Sequence, residues 1–186
     1  MILILSNKWD LTVDFVVTEL RSRQHPFVRL NTEDLRSERA TVELPDFHVS
    51  VSKNNVLCDL LDSIHVIWNR RPGKPYDDTP PPDRPSPATQ RFVSDQWYSW
   101  LEALQLLRGV AWINHPHAND AMESKVRQLH AARSAGFQVP ETLITNDPAR
   151  VRGFLQRHST VVAKALYAPL IEEPDQDRFI FSTLID

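Results

Sequence analysis

Two lysines stand where an anionic ligand could reach them. Lys125 falls in the first half of a helix that Asp120 and Glu123, at capping-box spacing, would open after the turn Asn114-His-Pro-His117. Lys164 interrupts an otherwise apolar run, Thr160-Val-Val-Ala-Lys-Ala165. A lysine in an apolar strand is costly to bury without an anionic partner. Lys164 therefore either faces a negatively charged ligand or points to solvent from a half-exposed strand. Lys125 has the same two readings, a phosphate contact or an ordinary exposed helix position. Arg70 and Arg71 follow the apolar run Ile64-His-Val-Ile-Trp68. Two adjacent guanidinium groups at a strand end could clamp a carboxylate or phosphate, or could pair at the surface or between domains.

Other chemistry-bearing groups are weaker. His115-Pro-His117 has the look of a metal pair but lacks a third ligand at a matching spacing, which suits a turn that sets the start of a helix. Glu172, Glu173, Asp175 and Asp177 crowd a proline-containing segment, as a solvated surface loop would. Trp97, Trp100 and Trp112 could stack a ligand, although helical spacing points to core packing. No glycine-rich phosphate loop follows the first apolar run: Ser6-Asn7-Lys8 takes that place, and the chain has only four glycines. That argues against a Rossmann dinucleotide site and a P-loop. A nucleophile elbow, a zinc-protease motif and a cysteine pair are all lacking.

The elements that must position these residues read as α/β. Ile2-Leu-Ile-Leu5 is a buried strand, Leu11 to Arg23 a helix with Leu11, Phe15, Val16 and Leu20 on one side, and Pro26-Phe-Val-Arg-Leu30 a second strand. Strand, helix, strand is the opening a parallel sheet requires. From Thr41 to Leu57 short alternating segments, joined at Lys53-Asn54-Asn55, predict a small antiparallel insertion. Ile64 to Trp68 is another buried strand. Seven prolines in the sixteen residues from Pro72 to Pro87 rule out a helix or central strand and predict an extended, mobile loop. Ala88 to Arg108 is the longest helix, with Phe92, Trp97, Trp100, Leu101, Leu104 and Leu107 for its core face, and Val110 to Ile113 a short strand. Further on, a helix from Asp120 to Ser134 ends at Gly136, and Val139 to Thr145 is a strand. Asp147-Pro148 caps another helix, Thr160 to Ala165 is a strand, and Phe179 to Ile185 is the last one. A domain boundary is expected near residue 113.

Composition closes off several function classes. At 186 residues, with 41% hydrophobic and 24% charged residues, the chain can bury a substantial core. A net charge of −3 gives no electrostatic reason to expect nucleic acid or an anionic membrane as partner. The opening apolar run is too short for a signal peptide or membrane span. A single cysteine, Cys58, excludes an intrachain disulfide and fits a cytoplasmic protein.

A family resemblance ties the candidates together. Trp112-Ile-Asn-His-Pro-His117, then Lys125-Val-Arg-Gln-Leu129, Gly136-Phe137, Val139-Pro140-Glu-Thr142 and the Val-Val-Ala-Lys164 strand, are similar in order to the ATP-grasp pattern. Ile2-Leu-Ile-Leu-Ser6, Phe27-Val-Arg-Leu-Asn31 with Thr32-Glu33-Asp34-Leu35, and Trp68-Asn-Arg-Arg-Pro72 resemble the pre-ATP-grasp domain of the microviridin-type (graspetide) peptide maturases. The resemblance implies an α/β pre-ATP-grasp domain over 1–113, a mostly parallel sheet with flanking helices and the proline-rich loop 72–87. It implies the first part of an α+β ATP-grasp central subdomain over 114–186.

Such ligases use ATP and Mg2+ to phosphorylate a side-chain carboxylate of a ribosomal precursor peptide, which a lysine amine or a hydroxyl of the same peptide then attacks. By that carry-over Lys125 and Lys164 contact ATP phosphates, and the peptide partner has a leader and a core; Arg70 and Arg71, read from the residues alone, are the substrate-side candidates. A strand-like hairpin between Tyr167 and Ile185 is then a place for the leader to add by edge pairing. A homodimer is implied by the resemblance alone. The adenine hinge and the Asp, Glu and Asn magnesium ligands are expected beyond Asp186, so that residues 1–186 alone would have little or no catalysis. A non-catalytic module that binds peptide or a partner ligase, and an ATP-grasp ligase that modifies a protein terminus, are the alternatives.

Overall fold

The structure is a computed structural model and describes residues 1–53, 56–167, 169–171 and 178–185. The acidic group Glu172, Glu173, Asp175 and Asp177 and the Asn54-Asn55 part of the insertion turn lie outside the described residues. Internal packing divides the chain into two units, Met1–Pro116 and His117–Asp186.

In the first unit, β1 (Ile2–Ser6) is apolar because both of its faces are covered: Leu3, Ile4 and Leu5 are buried. The α1 helix (Leu11–Ser22) begins at Asp10, whose carboxylate accepts the Thr12 and Val13 N–H groups. Its buried stripe differs from the predicted one. Val13 and Val17 pack on Ile4, with Leu20 beside them, while Leu11 and Phe15 face outward. Two apolar stripes overlap on this helix, and periodicity alone does not choose between them. β2 (Phe27–Asn31) pairs in parallel with β1, as expected. The insertion is a three-stranded antiparallel sheet of β3 (Arg39–Glu43), β4 (His48–Lys53) and β5 (Val56–Asp59), whose Val49 and Val51 join the core.

β6 (Val66–Asn69) pairs in parallel with the other side of β1. The proline-rich segment that follows holds one short 3₁₀ turn, Pro81–Asp83. It is pinned rather than loose, through contacts of Asp78 described below. The α2 helix (Pro87–Ala103) starts at Ser86, which caps Thr89 N–H, with proline at the first helical position. It passes into a 3₁₀ turn, Leu104–Leu106. Leu104 and Leu107 are buried, and Trp97, Trp100 and Leu101 pack on the same core, but Phe92 is exposed. β7 (Ala111–Ile113) pairs in parallel with β6 and completes the order β2-β1-β6-β7. The connection from β1 runs to β2 on one side and that from β6 to β7 on the other, so the carboxyl ends of β1 and β6 flank a topological switch point, where open α/β sheets bind ligands.

The second unit opens with α3 (Pro116–Met122) and α4 (Lys125–Ser134). The single helix predicted from Asp120 is therefore two. Ser124 adopts an extended backbone and caps Arg127 N–H, so the chain restarts there. Gly136 ends α4 as expected, at φ +86°. Phe137 N–H donates to Ala132 O and Gly136 N–H to Arg133 O, a Schellman closure. Residues 139–145 form no strand, since a strand needs a ladder partner and Pro140 lacks a donor. α5 (Pro148–Leu155) has the expected Asp147 cap, which accepts Ala149 N–H. β8 (Val161–Ala163) stops one residue before Lys164. The last predicted strand is split: β9 (Leu170–Ile171) pairs with β10 (Arg178–Phe179), and β11 (Thr183–Ile185) pairs with β8, both antiparallel.

Candidate functional site

At the carboxyl edge of the first unit, three sequence-distant segments converge. Lys8 Nζ lies 2.7 Å from Asp34 Oδ1 and 2.6 Å from Asp78 Oδ2. Arg36 reaches Asp78 Oδ1 at 2.8 Å, and its guanidinium stacks 4.5 Å above the Tyr76 ring. These contacts tie the proline-rich segment to the turns after β1 and β2. The hydrogen bonds to Asp34 and Asp78 push the Lys8 amine above its ordinary range. The Lys8 bond in turn holds Asp78 below the usual carboxylate range.

Glu33 lies under this latch with 1% exposure. Its Oε1 accepts Lys8 N–H at 3.2 Å, and burial pushes its pKa up. Thr32 Oγ1 donates to Gly73 O at 2.5 Å. Lys8, Glu33, Asp34 and Asp78 were not legible as a group in the sequence. The available signal was the acidic pair Glu33-Asp34 at the end of a strand adjoining β1.

The latch has a pH signature. Asp78, with a lowered folded pKa, contributes stability that is present above its unfolded value and is lost as pH falls through the folded value. Lys8, with a raised folded pKa, contributes at every pH below its unfolded value. Glu33 opposes them, because ionising a carboxyl whose folded pKa is raised costs stability as pH climbs through the carboxylate range. Lys8→Met is expected to cost about 1 kcal/mol at pH 7, allowing for the part exposure of Lys8, and to shrink the loss on acidification. Urea unfolding at pH 3 to 7 reads both effects; an unchanged pH profile would remove the Lys8–Asp78 bond as its source.

Arg70 and Arg71 part company. Arg70 Nε sits 3.2 Å from Asp10 Oδ2, bracing the cap of α1. Arg71 stands in the left-handed region at φ +50°, and Asn7 Nδ2 donates to its carbonyl at 2.7 Å. Its guanidinium is exposed and has no partner among the described residues. His115 packs at a tilt against Trp112, with ring centroids 5.3 Å apart. Among the described residues no three His, Cys, Asp or Glu side chains could hold a metal ion.

In the second unit, Lys125 is the first residue of α4, where the helix dipole favours an anion. It lines a cavity of about 530 Å³ with Asn119, Met122, Glu123, Gln128 and Tyr167. Gln128 Nε2 donates to Met122 O at 2.5 Å and fixes the break between α3 and α4. The hydrogen bond to Glu123 holds the Tyr167 phenol above its usual range. Lys164 is exposed and is not among the residues lining this cavity. The other face of α4, through Val126, Leu129 and Arg133, borders a groove of about 570 Å³ against Val139, Pro140 and Ile144.

The chain matches no known family model and no curated protein sequence. Solved structures do match. The macrocyclase MdnC bound with precursor peptide MdnA, from Microcystis aeruginosa MRC, superposes with a TM-score of 0.82 at 17% identity, over 100% of this chain and 61% of that one. A Chryseobacterium gregarium RiPP-associated ATP-grasp ligase, in complex with ADP and a leader and core peptide, gives 0.78 at 21% identity, over 100% and 56%. The macrocyclase MdnB from Microcystis aeruginosa MRC gives 0.70 at 19% identity, over 99% and 60%. The chain spans 56 to 61% of the length of these three structures. At such identities the likeness is one of fold: this chain has the fold of the matching part of these two macrocyclases and of this RiPP-associated ATP-grasp ligase.

Proposed function

We propose that this fold serves an ATP-dependent ligase that joins a side-chain carboxylate of a ribosomal precursor peptide to an amine or hydroxyl of the same peptide. The observation that carries the reading is the superposition of the whole chain on a macrocyclase bound with its precursor peptide. ATP enters as a substrate, as the ADP-bound neighbour suggests. The carboxylate oxygen attacks the γ-phosphorus, giving an acyl phosphate and ADP. The amine or hydroxyl then attacks the acyl carbon, loses its proton, and expels phosphate. Residues 1–113 serve as the pre-ATP-grasp domain and 114–186 as the first part of the ATP-grasp domain.

Lys125 suits the nucleotide. Its amine is unpaired among the described residues, stands at a helix N-terminus, and borders a cavity. A cation so placed offsets charge on phosphate oxygens as it shifts to the leaving group. Lys164 is the second phosphate contact on this reading. Mg2+ belongs to the same reading, and among the described residues no three His, Cys, Asp or Glu side chains are grouped to hold it. Arg70 and Arg71 lie on the substrate side, Arg71 with the free guanidinium. The precursor's leader and core are the partners, pairing into a homodimer belongs to the same reading, and the setting is cytoplasmic. No described helix is long and apolar enough to cross a membrane.

Trapping tests the acyl phosphate. Adding hydroxylamine to enzyme, Mg-ATP and a precursor peptide rich in Thr, Asp, Glu and Lys should leave a hydroxamate on an acidic side chain. ADP release without hydroxamate would argue for a different chemistry.

A further inference from the structure

The first unit carries an apolar ridge that its own fold leaves unused. Trp9, Leu11 and Phe15 are 74%, 70% and 76% exposed. Leu11 and Phe15 are one turn apart on α1 and share a face. They remain outside because Val13 and Val17 already fill the contact with Ile4. Trp9 stands just before the helix that carries this pair, and large apolar side chains exposed together carry more meaning than single scattered ones.

Unpaired positive charge lies beside the ridge. Asn7 holds both: its Oδ1 accepts Trp9 N–H at 2.9 Å, and its Nδ2 donates to Arg71 O at 2.7 Å. The backbones at Trp9 and Arg71 are thus joined through the two ends of one side-chain amide. The carboxylates nearby are occupied, Asp10 by Arg70, Asp14 by Arg29, and Asp34 and Asp78 by Lys8, with Arg36 also on Asp78. Arg71 has no carboxylate partner among the described residues, whereas Lys74 neighbours the exposed Asp77, whose carboxylate accepts the Lys74 N–H. The charge left over beside the ridge is that of Arg71, so the complementary occupant is acidic as well as apolar.

We propose that Trp9, Leu11, Phe15 and Arg71 form a docking surface for an acidic, apolar peptide segment. An apolar side chain lies on the ridge and a carboxylate meets Arg71. This deepens the peptide-ligase reading and rests on it for the peptide being substrate, but the contact itself needs no nucleotide. A second copy fits less well, because a two-fold contact over this patch would set like charges together. An anionic membrane fits less well too, since lipid surfaces are held by clusters of several cations.

The test is fluorescence anisotropy of the 186-residue chain, without ATP, against a fluorescein-labelled Leu-Glu-Phe-Glu-Leu-Glu peptide. Saturable binding is expected, weakened about tenfold or more by Trp9→Ser with Phe15→Ser, and similarly when lysine replaces each glutamate of the peptide. Arg71→Asn, which keeps the left-handed backbone, is expected to weaken binding and flatten its dependence on salt. No saturation up to roughly millimolar peptide, or equal binding by these variants, overturns the proposal. So does a dimer that sedimentation shows to dissociate in the Trp9→Ser, Phe15→Ser variant, or selective loss in that variant of binding to phosphatidylserine vesicles. The ligase reading is judged apart: peptide capture with no ATP-dependent ligation would sink that reading and leave the dock standing.

Discussion

Replacing Lys125 with alanine should lower ATP-dependent peptide ligation by about 10²–10³-fold, the usual cost of losing one preorganised group that stabilises transition-state charge. The reason is positional. Lys125 opens α4, so its amine and the helix N-terminus present positive charge to the same cavity. Both the KM for ATP and kcat should suffer, because phosphate oxygens carry charge before and during transfer. Lys125→Arg should recover part of the rate. Ser124→Ala is the control, since it weakens only the cap of the helix, by about 1 kcal/mol. Initial rates of ADP release coupled to peptide mass analysis would measure all three. Wild-type turnover in Lys125→Ala would mean that phosphate does not sit at this cavity. Lys164→Ala is separable, because that lysine lies outside the cavity lining, and unchanged turnover there would remove Lys164 alone.

Gly73→Ala should destabilise the first unit by about 1–3 kcal/mol, an overpacking penalty. A Cβ at this position would stand 2.6 Å from Glu33 Cδ and 2.8 Å from its Oε1. Glu33 cannot yield cheaply. It is buried, and its Oε1 holds the Lys8 N–H. Moving it would break that bond and disturb the turn that carries Asn7 and Lys8. The companion variant Glu33→Ala removes the obstructing atoms, so the double variant should lose less than the two single losses added together, by roughly 0.5–3 kcal/mol. Urea denaturation of the four proteins completes the cycle. Strict additivity would show that the glycine is not required by this contact.

Much of the scaffold was legible because its signals are local. Asp147-Pro148 and Gly136 each act on backbone groups within a few residues, and their helices begin or end where those residues demand. The apolar run at β1 is buried on both faces and that at β6 centres on the buried Ile67 with Val66 and Trp68 part-buried, so no periodicity was needed to find them. Most of the errors share a cause, which is that the deciding partner is distant in sequence; the break at Ser124, set by a local cap, is the exception. Whether Val13 and Val17 or Leu11 and Phe15 face inward depends on Ile4. Residues 139–145 look like a strand, but nothing pairs with them. The latch joins Lys8, Asp34 and Asp78 across some seventy residues of chain, and no spacing rule connects them. Lys125 could be singled out from its helix, whereas the separate fates of Arg70 and Arg71 were decided by Asp10 and Asn7.

The most direct test of the peptide-ligase reading is mass spectrometry of a candidate precursor peptide incubated with the active enzyme and Mg-ATP. The expected result is a product lighter than the peptide by one water per bond, with one ADP released for each water lost, and no product without ATP. A peptide that gains the mass of an added amino acid would place the fold in a terminus-modifying ligase instead. ATP consumed with the peptide mass unchanged would contradict side-chain cross-linking outright.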